Sequence, residues 1–422
     1  MKWLKRIALG SLLVTVLGLG VASVDRCGAW VAAPGGLTGL ARSKGALRVG
    51  AAKAAFDLPY PVTLGGYGPW LHQVGAAATP LAARATVLEV GGQRFGLVSL
   101  ETLLVTDSVV SALRKGGDFQ VWVVATHTHT GPGNFDPRLV ARVAALGPYR
   151  ADVEAAIVKA GAQALSEAIS ALAPAVMDVA VDSHDLTRSR SGGEIDTTLA
   201  RIRFRSPEGA PLAQWLLFGG HPTMVARSTE LLDGDFPSRV SARFEASGGV
   251  AMVLQTAGAN ASANGSLDDF SAELTQRFAR LADGPAEPEV TYGLATSDVV
   301  LSRPDAQRLV PGLLTPALEN ALCDQPTTHA EIGVLRLGSI SLVAVPLEVT
   351  SASARVLTQQ SKASHLLSLA NGYQGYLEPE QVVRSDTGEA HAQYFGPGLL
   401  SQLAEAAQRA GEAAGTFGAK TP

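Results

Sequence analysis

The stretch Ala125-Thr126-His127-Thr128-His129-Thr130-Gly131-Pro132-Gly133 directly follows the apolar run Val121-Trp122-Val123-Val124, and no other segment constrains the chain as much. Residues two apart on an extended backbone project to one side, so His127 and His129 leave the end of a buried strand aimed into one pocket. The Gly-Pro-Gly that follows stops the strand and lets backbone approach whatever the imidazoles hold. An isolated H-x-H pair fits core or loop histidines as well as metal ligands, so the rest of the chain has to decide.

Further apolar runs end in the same way. His221 follows Leu216-Leu217-Phe218, Glu348 follows Ile340 to Leu347, and Tyr376 follows Leu366 to Gly372. Taken singly, each has an ordinary reading: a capped loop histidine, a first-turn helix carboxylate favoured by the macrodipole, a tyrosine like any other. The repetition carries the signal, because several strands end in groups able to bind a hard or borderline cation.

With 422 residues, 46% hydrophobic and 17% charged, the chain can bury a large core. Its formal net charge of −4 comes without long basic or acidic runs, which removes the electrostatic case for nucleic acid and leaves a small molecule or lipid as the expected partner. Residues 1–26 read as an export signal, with Lys2, Lys5 and Arg6 ahead of an apolar run that ends in small residues. An uncleaved membrane anchor is the rival, and the protein is accordingly expected in the periplasm, outside the cell, or held to a membrane by its N-terminus. No later stretch has spanning length. Cys27 and Cys323 allow one disulfide in an oxidising compartment.

Strand-like and helical runs alternate. Arg84 to Glu89 and Arg94 to Leu100 flank Gly91-Gly92 as a hairpin, as do Leu199 to Arg205 and Pro211 to Phe218 around Pro207-Glu208-Gly209. An alanine-rich segment from Val153 to Leu172 keeps near-helical spacing. Further strands are expected at Val250 to Leu254, Val299 to Leu301, Ile332 to Leu337 and Ile340 to Val345, and helices at Pro237 to Ala246, Asp269 to Leu281 and Thr350 to Gln359. This mixture predicts an α/β fold of mixed sheets flanked by helices, as one large catalytic domain over residues 45–412. Residues 27–44 read as a linker, 303–327 as a long loop and 413–422 as a tail.

Together these segments resemble the neutral, non-lysosomal ceramidases, zinc amidases that cleave N-acylsphingosine. That family's T-H-T-H-[S/T]-G-P-G, V/G-H-P/A-T, V-P-x-E and Y-x-x-Y segments are matched, in order, by Thr126 to Gly133, Gly220 to Thr223, Val345 to Glu348 and Tyr373 to Tyr376. Its serine segment falls on Gln255 to Asn264. The resemblance implies a zinc ion held by His127, His221, Glu348 and Tyr376, with His129 and Ser262 as catalytic groups. Gly66, Arg190 and Asn264 would bind substrate, a lipid-like N-acyl amide, and contact with a membrane surface is left open. Asp235 is open to two readings, orienting a ligand histidine or capping a helix.

Three departures accompany the match. The family's second pocket tyrosine falls on Gly388, the aspartate of its serine segment on Ala259, and the sequence stops soon after Phe395-Gly396-Pro397, without the family's immunoglobulin-like domain. A zinc esterase or phosphoesterase, and a non-catalytic lipid binder, stay open as alternative readings.

Overall fold

The structure is a computed structural model and describes residues 33–68, 72–115, 117–308, 312, 315–323 and 329–415. The expected export signal and Cys27 lie outside the described residues. Among the described residues, no helix is long and apolar enough to cross a membrane.

The organising element is β1 (Ala33–Ala55), a 23-residue strand. Its first half pairs with β13 (Glu289–Val300), and its second half with β4 (Ala82–Val90). One wing continues from β13 through β14 (His329–Leu337) and β15 (Ile340–Ala344) to the parallel β17 (His365–Leu367). Another runs from β4 to β5 (Gln93–Leu100) and the parallel β6 (Gln120–Ala125). The third joins β1 to β7 (Ala173–Ser183), β9 (Thr198–Arg205), β10 (Pro211–Phe218) and the parallel β11 (Val250–Gln255). These twelve strands form one mixed sheet. Short pairs stand apart from it: β2 (Val62–Thr63) with β3 (Gln73–Val74), β8 (Thr187–Ser189) with β12 (Ala261–Ala263), and β16 (Glu348–Val349) with β18 (Tyr376–Leu377).

Side chains of all three wings meet in a central core that holds Trp122, Phe95, Phe204, Trp215, Met252, Leu294 and Leu335. Trp122 meets Phe95 edge-on at 5.1 Å, and Trp215 meets Phe204 in the same way, so large aromatics fill the space between wings. Each fully buried side chain of this kind contributes about 1.5–3 kcal/mol of apolar transfer.

The outer faces are covered by helices. After α1 (Asp107–Arg114) and the short α2 (Leu139–Ala141), α3 (Ala151–Ser170) buries Val153, Ile157, Ala164 and Leu165 beneath the β4–β6 wing. The pair α4 (Asp235–Glu245) and α5 (Leu267–Arg280) covers β9 to β11 through Phe236, Val240, Phe270 and Phe278. After α6 (Thr315–Cys323), the β13–β17 wing is covered by α7 (Ser351–Ser361) and, beyond α8 (Glu380–Arg384), by α9 (Leu399–Ala414).

The predicted α/β class, both hairpins and the four helical segments are present. Three readings need correction. From Ala33 onward the expected linker is the first half of β1, and Gly35 there serves close approach: a Cβ on it would lie 2.0 Å from the Asp298 carbonyl oxygen of β13. Small residues there admit a neighbouring strand, where composition suggested a flexible tether. The expected loop at 303–327 contains α6, and the first two residues of the short strand expected at Val299 to Leu301 are the end of the twelve-residue β13.

Candidate metal centre

Strand ends are sewn together at one side of the sheet. The Gln255 amide at the end of β11 donates to the Thr126 carbonyl just beyond β6 at 3.2 Å, and Thr256 N–H donates to Phe218 at the end of β10. Segment 368–371 links the rest: Ser368 N–H donates to Gln255, Leu369 accepts from Ala125, and Ala370 N–H donates to Val345. Residues far apart in sequence therefore reach one place.

His127 stands two residues past β6 with φ +68, in the left-handed region that non-glycine residues rarely occupy. Such a conformation costs about 1–3 kcal/mol and needs support from its surroundings. Support comes from its N–H, which donates to Thr102 O at 3.0 Å, and from its ring, whose Nδ1 donates to Leu103 O at 2.7 Å. His129 Nδ1 donates to Gly66 O at 3.0 Å, and His221 Nδ1 to Gly258 O at 3.4 Å. Carbonyl oxygens only accept, so each imidazole carries its proton on Nδ1 and turns a bare Nε2 lone pair inward.

Those three lone pairs face one another. His127 Nε2 lies 3.2 Å from His221 Nε2 and 3.4 Å from His129 Nε2, and the three rings form the one metal-capable group of this kind among the described residues. Glu348 adds Oε2 at 3.0 Å from His127 Nε2 and 3.7 Å from His221 Nε2, with no donor hydrogen directed at it. Acceptors packed this tightly repel unless a cation lies among them. Donors about 2.0–2.1 Å from a tetrahedral zinc are separated by about 3.3 Å, so the spacing and the nitrogen and oxygen donor set both fit that ion.

Electrostatics agree with the geometry. Burial, then the neighbouring His127, push the His129 imidazole down to about 3, and the same two causes hold His221 well below its usual value. Burial alone would raise the Glu348 carboxyl, but the facing histidines and the Tyr373 hydroxyl hold it well below the ordinary carboxylate range. His129 and His221 are thus neutral and Glu348 is ionised, the protonation states that metal binding requires.

Glu348 is placed by β16, which pairs with β18 so that Glu348 stands beside Tyr376, and its N–H donates to Gly375 O. Burial, then the Glu348 charge, raise the Tyr376 hydroxyl well above its ordinary value of 10. Arg190, at the end of the β8 to β12 pair, is one-third exposed; its guanidinium donates to Ala259 O at 3.3 Å and lies 4.0 Å from Glu389. Ser262 is half-buried, and its backbone bridges that of His221. Asn264 lies just past β12 and is exposed.

Gly66 has a positioning part. Its carbonyl holds His129, and a Cβ there would lie 2.6 Å from the His129 Cα. Tyr67 seats its ring 5.5 Å from that of His129 and donates its hydroxyl to Val225 O. Neither expected role describes Asp235. Its carboxylate accepts from the N–H groups of Met224 and Val225, pinning the loop after His221, while Gly234 is the cap residue of α4.

Two residues of the centre were missed in the sequence. Tyr373 donates its hydroxyl to Glu348 Oε1 at 2.6 Å, and Tyr394 packs edge-on against Tyr373 at 6.4 Å. Tyr373 was visible in the Y-x-x-Y segment; Tyr394 had only its place next to Phe395-Gly396-Pro397. Gly388 sits at φ +58 in a tight turn, where a Cβ would meet Glu378 Oε1 at 2.6 Å.

No family model and no curated protein sequence matches this chain. Solved structures do. The neutral ceramidase from Pseudomonas aeruginosa superposes with a TM-score of 0.73 at 20% identity, over 87% of this chain and 75% of that one. A ceramidase complexed with C2 gives a TM-score of 0.73 at 19% identity, with the same coverage. The architecture derived above, from the central strand to the sewn strand ends, is therefore the neutral ceramidase fold.

Proposed function

We propose that this protein is a zinc-dependent amide hydrolase that cleaves the N-acyl bond of ceramide or a related N-acyl lipid. The observation that carries this reading is the convergence of three imidazole lone pairs and an unpartnered Glu348 oxygen. The ceramidase fold and the order of the matched segments support the choice of substrate.

His127, His221 and Glu348 would hold the ion, with Tyr376 beside Glu348. A zinc ion so held acts as a Lewis acid on a carbonyl and lowers the pKa of water to about 7. His129 is the most exposed of the three histidines; its Nδ1 proton is committed to Gly66, which leaves Nε2 to take or return a proton at the leaving amine. The Arg190 guanidinium, part-exposed and tied to Ala259, would bind the polar end of the substrate, with Ser262 beside His221 supporting the reacting carbonyl. An N-terminal export signal would place this chemistry outside the cytoplasm.

Purified protein should contain one zinc per chain by elemental analysis and release fatty acid from a short-chain N-acylsphingosine. Chelation should abolish that release, and added zinc should restore it. Cleavage of phosphate esters without any release from acyl amides would replace this reading with a phosphoesterase. Bound zinc without turnover of either class would leave a lipid binder.

A further inference from the structure

The departures at Ala259 and Gly388 lead to one guanidinium. Arg190 donates to the Ala259 carbonyl at 3.3 Å, where the side chain offers no carboxylate, and its Nε lies 4.0 Å from Oε1 of Glu389, the residue after Gly388. That separation is too long for a hydrogen bond. Glu389 is only 4% exposed, yet among the described residues its carboxylate accepts no hydrogen bond. Buried carboxylates are ordinarily hydrogen-bonded, so this one has acceptor capacity left for a ligand.

The backbone brings both groups to the rim of the metal centre. Arg190 follows β8, its N–H donates to Asn260 O, and the partner strand β12 bridges His221 at Ser262. From the other side, β18 sets Tyr376 beside Glu348, and Glu378, two residues on, ties down the loop that carries Glu389. Its Oε1 accepts from Glu389 N–H at 2.8 Å, its Oε2 accepts from the Thr350 hydroxyl at 3.0 Å, and its own N–H donates to Gln393 at 2.9 Å. Gly388 is what lets that loop close so tightly over Glu378.

An oxygen about 2.8 Å from each of two atoms that stand 4.0 Å apart fits between them. A hydroxyl in that place accepts from Arg190 Nε–H and donates to Glu389 Oε1, which satisfies both. A carboxylate would accept from Arg190 but face a like charge at Glu389, and an ammonium would donate to Glu389 but face Arg190. We propose that Glu389 is a specificity-determining residue which, with Arg190, admits an amide whose amine part carries a neutral hydroxyl and excludes one that carries a carboxylate. The proposal rests on the amidase reading above. Its selectivity comes from repelling the wrong head as much as from holding the right one.

The test is competition against hydrolysis of a short-chain N-acylsphingosine by the zinc-loaded protein, with N-dodecanoylethanolamine and N-dodecanoylglycine as competitors. These differ only in a CH2OH group against a carboxylate. The ethanolamide should inhibit at least about tenfold more tightly, since a like charge misplaced in a site is costly. Glu389→Gln, which keeps the size and removes the charge, should bring the two within about threefold, chiefly by tighter binding of the glycine conjugate, with zinc retained by elemental analysis. Equal inhibition in the wild type, the same ratio in both proteins, or inhibition by neither competitor would overturn the proposal. Loss of zinc from Glu389→Gln would also overturn it, by making Glu389 a support of the metal centre. If Glu389→Gln fails to fold or to turn over, the wild-type ratio decides, and a preference below about tenfold overturns it. A wild-type chain that binds zinc but releases no fatty acid would end the amidase reading, and this proposal with it.

Discussion

Two buried charge clusters in this protein are built on opposite plans. Around Arg84 on β4, the guanidinium donates to Glu101 and to Glu245, while Glu101 also accepts from Ala82 N–H and Glu245 from Lys53. Arg84 and Glu101 are almost completely buried, and every formal charge there has a partner from the chain itself. At the Glu348 centre, the carboxylate and three imidazoles meet with no cation of the protein's own among them. The first cluster is finished by folding, whereas the second is a set of acceptors waiting for a charge from outside. Burying charged groups is costly in either place, and a chain keeps an unneutralised set only where something else completes it.

The comparison breaks most sharply if ligands and ion-pair members respond alike. His127→Ala or His221→Ala should abolish zinc uptake and lower amide hydrolysis by well over about a hundredfold, above the loss typical of outer partners. The zinc-free variant should fold as well as the zinc-free wild type, since one inward lone pair has gone. Retained zinc in both variants, measured by elemental analysis, would refute the ligand assignment.

Arg84→Met should do the reverse. Leaving Glu101 and Glu245 without their cation is expected to cost about 3–5 kcal/mol of stability, measured by urea unfolding of the zinc-free protein. Zinc content of the fraction that folds should match the wild type. A loss of zinc at full stability would dissolve the distinction between the clusters.

Smaller effects sharpen it. Arg190→Ala and Ser262→Ala should lower turnover by about tenfold, the effect of one lost hydrogen bond worth about 1.4 kcal/mol, with zinc still bound. Acid should expose the finished cluster: burial raises the Glu245 carboxyl, but Arg84 and Lys53 outweigh it and leave it below its ordinary value. A depressed carboxylate contributes stability that is fully present above its unfolded value, about 4.3, and is lost as pH falls through the folded value. The melting difference between wild type and Glu245→Gln should therefore be largest near neutrality and shrink below about pH 4. A difference independent of pH would show that Glu245 matters through packing.

Much of the centre was legible because strands announce their ends. Apolar runs that stop at His127, His221 and Glu348 place those residues at the sheet margin, and matched order then groups them. The supports were not legible, for a physical reason. The carbonyls of Leu103, Gly66 and Gly258 that orient the imidazoles belong to the backbone, which every residue carries, so no side-chain pattern marks them in the sequence. Tyr394 reaches Tyr373 only because Gly375 leaves room for its ring. Asp235 shows the same limit: an aspartate at a helix start reads as a cap, yet its carboxylate holds a loop ten residues back. In β1, Gly35 belongs to a composition that resembles a tether, yet it marks a neighbour too close for a side chain.

The placement of β1 sets the order in which this chain can fold. Its first half finds its partner in β13, about 250 residues later, while its second half pairs with β4 after a short excursion. The hairpin of β4 and β5 can form early, but the middle of the sheet stays open until the last third of the chain is available. Closing such long loops is entropically slow, so folding should be limited by this late joining. Until then the first half of β1 has an unpaired edge, the segment where a partly made chain is most exposed to pairing with another.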